Sequence, residues 1–249
     1  MTAPPPQHIR ISNLRLIVSS GTDGYGILIA GSDVAVTGVT IEGAPFDGVT
    51  ITGRANGSAC TCASQVQITN SSVSGALRGG MSVVSATGVT IDSNTIQGTG
   101  SAGASCVGCT TGPWAGIDVE PDLSFYPLTQ ITISRNTISD NGGAGILLAL
   151  YGETSGQDWY PTHADQIVLD RNTINHNAWG SGSFLHGGVC LGGGQADGTG
   201  HLSVTNDTIT NNNGYGLCKH PTLGFIEQVS TSGNTYSGNT LGDSEWGVE

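Results

Sequence analysis

The chain has 249 residues, 40 of them Gly, and only 10% are charged; 7 Lys and Arg stand against 19 Asp and Glu, a formal net charge of −12. Gly, Thr, Ser and Asn are poor in helix interiors, which argues against a helical protein, and regularly spaced Ile and Val argue against disorder. Scarce cations argue against a nucleic-acid partner, and no apolar run approaches the roughly 20 residues that cross a bilayer.

Residues 1–8, with prolines at 4, 5 and 6, read as an extended lead-in. Residues 9–249 read as a single domain, because no linker or composition shift divides them. Two units alternate along that domain. The first is apolar-x-x-Asn-Thr-Ile. It occurs as VTGVTI (36–41), ITNSSV (68–73), IDSNTI (91–96), ISRNTI (133–138), LDRNTI (169–174), VTNDTI (204–209) and TSGNTY (231–236). The second is Gly-apolar-x-apolar, starting at Gly26, Gly48, Gly80, Gly116, Gly145, Gly188 and Gly216.

Both units alternate with period two, so each predicts a short strand with one face inward and one outward. Hairpins cannot join units whose order repeats along the whole chain. Stacking like on like gives parallel sheets along a solenoid, here an all-β parallel β-helix of seven or eight coils. Asn94, Asn136, Asn172 and Asn234, with Asp207 as a variant, recur in one slot. They predict an amide ladder at a tight turn, the Asn itself taking the left-handed conformation.

Six cysteines, Cys60, Cys62, Cys106, Cys109, Cys190 and Cys218, predict disulfides and a secreted protein; a zinc site is the alternative. Cys190 and Cys218 share an outward slot on adjacent coils, about 4.8 Å apart, which predicts a bond between them. The other four predict two bridges at 57–64 and 103–110 whose pairing stays open, a local Cys106–Cys109 bridge being one choice.

Aligning the second strands puts Leu28, Thr50, Ser82, Asp118, Leu147, Cys190 and Cys218 in one outward row. Ala30, Thr52, Val84, Glu120, Ala149, Gly192 and His220 form the next. Only one strand carries two acids there. Asp118 and Glu120 lie two apart on one face, about 6.5–7 Å between Cα atoms, a separation that suits a glycosidase pair. Asp122 follows as a third acid. Such a trio is also compatible with a calcium site or a plain solvated face.

The long insertions at 99–115, 121–129, 151–165 and 177–187 hold most of the large aromatic side chains. Trp114, Tyr126, Tyr151, Trp159, Tyr160 and Trp179 are candidate sugar-stacking rings. Glu153, Asp158, His163 and His186 are secondary candidates for the same groove.

The segments GMSVVSATGVTIDSNTIQGTG, PWAGIDVEPD and ITISRNTISDNGGAGI, between Gly80 and Ile146, carry a resemblance. The chain resembles the right-handed parallel β-helix repeat proteins of the pectate-lyase-like superfamily, and within it a bacterial secreted group with a G-I-D-[IV]-E-P segment. That resemblance implies a right-handed, single-stranded β-helix and carbohydrate as the substrate class. Three functions then stand open. The first is a glycoside hydrolase with Asp118 and Glu120 as acid and base or nucleophile and Asp122 assisting, requiring no cofactor. The second is a polysaccharide lyase or uronate epimerase using calcium held by Asp118, Glu120 and Asp122. The third is a non-catalytic glycan-binding or structural module. A homo-oligomer, end to end or side by side, is compatible with all three.

Overall fold

The computed structural model describes residues 7–18, 24–56, 59–100, 112–123, 126–154, 157–161, 163–179, 187–193, 200–219 and 228–244. They form a parallel β-helix with eight strands stacked along each of three faces. The first sheet runs from Gln7–Ser12 to Gln228–Ser232, the second from Arg15–Ile17 to Thr235–Ser237, and the third from Ile27–Ile29 to Gly242–Ser244. Each coil thus has three strands where the repeat predicts two. The apolar-x-x-Asn-Thr-Ile unit is two strands around a corner. Ala86–Asp92 ends in the first sheet, Ser93 turns the chain at φ 57°, and Thr95–Gln97 begins the second. The left-handed residue is the one before the Asn, as at Ser93, Arg135, Arg171 and Asn206, and not the Asn itself.

Inward residues stack in register. Ile68, Ile91, Ile133 and Leu169 are paired neighbours in the first sheet, and Ile96, Ile138, Ile174 and Ile209 in the second. All are fully buried. Burial of each such side chain contributes about 1.5–3 kcal/mol.

At the first corner, Asn94 Nδ2 donates to Asn136 Oδ1 at 3.0 Å and to the Ile68 carbonyl at 2.9 Å. Asn136 repeats the pattern toward Asn172 and the Ile91 carbonyl, both in the buried layer. A second ladder, which the repeat unit did not disclose, climbs the next corner through Thr99, Asn141, Asn177, Asn212 and Asn239. Its signal is an Asn three residues beyond the inward Ile, as at Ile138 and Asn141.

Gly80 sits at the bend into the third sheet. A Cβ there would lie 2.3 Å from the Gly116 carbonyl oxygen and 2.4 Å from Ile96 Cγ2. The turn therefore needs a residue without a side chain.

Cys190 and Cys218 are bonded, with Cα atoms 4.6 Å apart. Cys60 and Cys62 bond to each other, Cα atoms 5.2 Å apart, beside the hairpin of Arg54–Asn56 and Ala59–Thr61. Cys106 and Cys109 lie outside the described residues. The expected loop at 151–165 is largely strand. Ile146–Thr154 pairs antiparallel with Gln157–Pro161, because the third-sheet strand runs on past the coil and folds back on itself.

Asp207 fills an Asn slot with the wrong chemistry. Its Oδ1 accepts from Asn172 Nδ2 at 3.0 Å, but its Oδ2, where a ladder Asn has a donor, is buried without a partner. Burial raises its pKa to about 6. The neutral form is favoured in the fold, so this contribution to stability is full below the ordinary carboxylate pKa and lost as pH rises through about 6. Asp207→Asn is expected to stabilise the protein by about 2–3 kcal/mol at pH 8 and to have little effect at pH 4, read by thermal melts across that range. Gly80→Ala is expected to lower stability by at least about 1–3 kcal/mol through overpacking, read by denaturant unfolding.

Candidate functional site

The outward face of the third sheet differs between its two halves. Register pairing places Leu28, Thr50, Ser82, Asp118, Leu147, Cys190 and Cys218 in one row, as the strand alignment predicts. Toward the C-terminal end, Ala144, Leu147, Ala149, Cys190 and Cys218 form a second buried apolar cluster with Ala115. That half of the face is closed. Toward the N-terminal end Leu28 is 54% exposed, and the face opens into a cavity of about 590 Å³.

Outward residues Leu28, Thr50, Thr52, Val84 and Glu120 floor this cavity; Tyr25, Phe46, Arg78, Gly112, Pro113 and Asp122 wall it. Glu120 is half-buried and Asp122 exposed. Asp118 shares the outward row of Thr50 and Ser82 but is only 2% exposed. Burial drives its pKa well above the carboxylate range, and the charge of Glu120 adds to the rise. Arg78 opposes the shift, while Asp47 and Asp122 add to it. The three acids therefore differ in environment, a buried group whose proton is held more tightly beside two that reach the cavity.

Asp47 belongs to the same constellation. It precedes Gly48, pairs in register with Gly79, and is fully buried. Its Oδ2 accepts from Thr50 Oγ1 at 3.0 Å and from Arg78 Nη1 at 3.2 Å. Burial raises its pKa, with Arg78 pulling the other way. The Arg78 guanidinium also lies 4.6 Å above the Phe46 ring, and Tyr25 meets that ring edge-on at 5.5 Å. Asp47 and Phe46 together fix Arg78 in the cavity wall, a planar donor beside two carboxyl groups.

Sequence candidates fall unevenly on this geometry. Of those described, Glu120 and Asp122 line the cavity. Trp114 sits at a left-handed position, φ 48°, its ring over the Gly100 backbone. Tyr126 is buried, so its face is not open to a ligand. Trp179 is 52% exposed and packs on His176, ring centroids 4.4 Å apart, at a corner away from the cavity lining. His186 lies outside the described residues, as do the side chains of Tyr151, Glu153, Asp158, Trp159, Tyr160 and His163.

Tyr25, Phe46, Asp47 and Arg78 were not among the sequence candidates. A signal existed, because the residue before each bend glycine is a third outward row and Asp47 is the one acid in it. Among the described residues no group of three or more His, Cys, Asp or Glu side chains converges to hold a metal ion. Asp118 is covered within the outward row of the third sheet, whereas Asp122, beyond Pro121, is exposed.

The solved structures most relevant to this fold share little sequence with it. A Streptococcus pneumoniae surface protein and adhesin, PfbA, superposes with a TM-score of 0.59 at 13% identity over 95% of this chain and 66% of its own. The pectate lyase Pel9A gives 0.56 at 11% identity over 93% of this chain and 60% of its own. The chain thus spans less than two thirds of either protein. No curated protein sequence matches it significantly. The model of the "Right handed beta helix region" matches residues 6–154 and 123–242. With its three parallel eight-strand faces, the chain belongs to the right-handed β-helix family.

Proposed function

We propose that this protein acts on a carbohydrate outside the cell, and that its chemistry is glycoside hydrolysis in the cavity on the third sheet. One observation carries the reading. Glu120 and Asp122 line one cavity, and burial raises the pKa of the neighbouring acid, Asp118. A pair of carboxyl groups facing one cavity is what acid–base cleavage of a glycosidic bond needs. Glu120 and Asp122 are the groups that meet the substrate. Asp118 holds its proton more tightly behind Glu120 and, where protonated, removes one negative charge from its side. Tyr25 and Thr52 supply an aromatic edge and a hydroxyl suited to a sugar ring. Two disulfides favour an oxidising compartment.

Arg78 favours a second reading. A fixed guanidinium in the cavity supplies a cation that would neutralise a uronate, as elimination or epimerisation requires. Of the two structures compared above one is a pectate lyase and one an adhesin, so binding without turnover is the third outcome to separate.

The test is a panel of neutral and uronic polysaccharides, with and without calcium. New reducing ends without ultraviolet-absorbing unsaturation are expected. Glu120→Gln should lower turnover by about 10²–10⁴-fold with an unchanged melting temperature. Unsaturated ends would replace hydrolysis with elimination, and tight binding without any product would replace both with recognition. Asp118→Asn is expected to fold, and to stabilise the protein at pH 8 relative to pH 4. A raised folded pKa means that the stability Asp118 contributes is present at low pH and lost as pH rises. Melts of parent and variant at both pH values read this directly.

A further inference from the structure

The two disulfides among the described residues sit in opposite environments. Cys190 and Cys218 are 0% and 4% exposed and join neighbouring coils across 28 positions of chain. Cys60 and Cys62 are partly exposed and span only two positions. A short closed loop removes little entropy from the unfolded chain, so this second bridge adds little to the fold by constraint.

Ser85 marks it as more than a weak clasp. Its side chain is fully buried, and its Oγ lies 2.8 Å from Cys62 Sγ and 3.0 Å from Cys60 Sγ. Bonded sulfurs carry no hydrogen, so the hydroxyl is the donor. A disulfide sulfur is a weak acceptor, whereas a thiolate is charged and a strong one. The buried hydroxyl is thus better matched to the reduced state than to the bonded one. Space for this contact is tight, since a Cβ on Gly53 would lie 2.7 Å from Cys60 Sγ and 3.0 Å from Ser85 Oγ. Gly53 follows Thr52 and Ser85 follows Val84, and both of those line the cavity.

We propose that Cys60–Cys62 is a thiol-exchange site at the cavity rim, taking small thiols as its reactant, while Cys190–Cys218 is structural. An external thiolate attacks Cys60 Sγ. The bond between the sulfurs breaks, and its electron pair leaves on Cys62 Sγ, where the Ser85 hydroxyl hydrogen-bonds the new thiolate. A second thiol attacks the mixed disulfide and releases Cys60 as a thiolate. The two external thiols are oxidised to a disulfide, and the two electrons reside on the cysteine pair. A leaving thiolate stabilised in this way departs faster. Reduction removes the link between Cys60, in the second strand of the hairpin of Arg54–Asn56 and Ala59–Thr61, and Cys62 just beyond it.

The folded full-length chain, equilibrated with graded dithiothreitol or glutathione buffers, alkylated and read by peptide-resolved mass spectrometry, tests this. Cys60 and Cys62 are expected to label at a thiol concentration at least tenfold below that which opens Cys190–Cys218. Ser85→Ala is expected to raise the concentration needed for Cys60–Cys62 by about tenfold or more, the loss of a hydrogen bond to a charged group. Opening of both bridges at one thiol concentration, or of Cys190–Cys218 first, would overturn the proposal for the parent protein without recourse to any variant. A folded Ser85→Ala protein with an unshifted Cys60–Cys62 midpoint would overturn the role of the hydroxyl.

Discussion

A side-chain amide that bonds both upward and downward is the constraint on which this molecule depends. Each coil leaves backbone donors and acceptors at its corners that strand pairing does not reach. Asn94, Asn136 and Asn172 satisfy them by spanning from one coil to the next, and Asn141, Asn177 and Asn212 do so at the following corner. Unpaired buried polar groups cost about 1–3 kcal/mol each. The ladders therefore hold the coils in a single register. That register aligns the Ile stacks inside and, on the third face, sets Asp118 beside Ser82 and Leu147.

The proposed function rests on how the third face is covered. The same outward row is apolar and closed over one half of the solenoid and open over the other. At the boundary, a strand with two acids meets Asp47 and Arg78 from earlier coils. Parallel stacking brings together residues far apart in sequence, about one strand spacing from coil to coil. The buried and cavity-lining carboxyl groups owe their difference to this boundary, since Asp118 lies under it and Glu120 opens from it.

Much of the fold was legible because a solenoid writes itself as a period. The repeats disclosed parallel stacking, the ladder slot and the Cys190–Cys218 contact, all consequences of identical residues recurring at one height. The third strand per coil was not legible. The corner at Ser93 or Arg135 falls inside an alternating run and breaks it by conformation rather than composition. Of the site, Glu120 and Asp122 were visible as a departure from a plain outward row. Asp47 and Arg78 were not, because they flank bend glycines, where outward direction is set by the turn. Burial of Asp118 and Tyr126 also escaped, since what covers an outward residue comes from other coils.

The most direct test of the central claim is the structure of the Glu120→Gln variant with an oligosaccharide bound. A sugar ring is expected in the open half of the third face, between Arg78 and residue 120, with Asp122 in contact and Asp118 beneath it. A sugar bound on the first or second sheet, or over the closed half near Cys190 and Cys218, with the cavity empty, would contradict it.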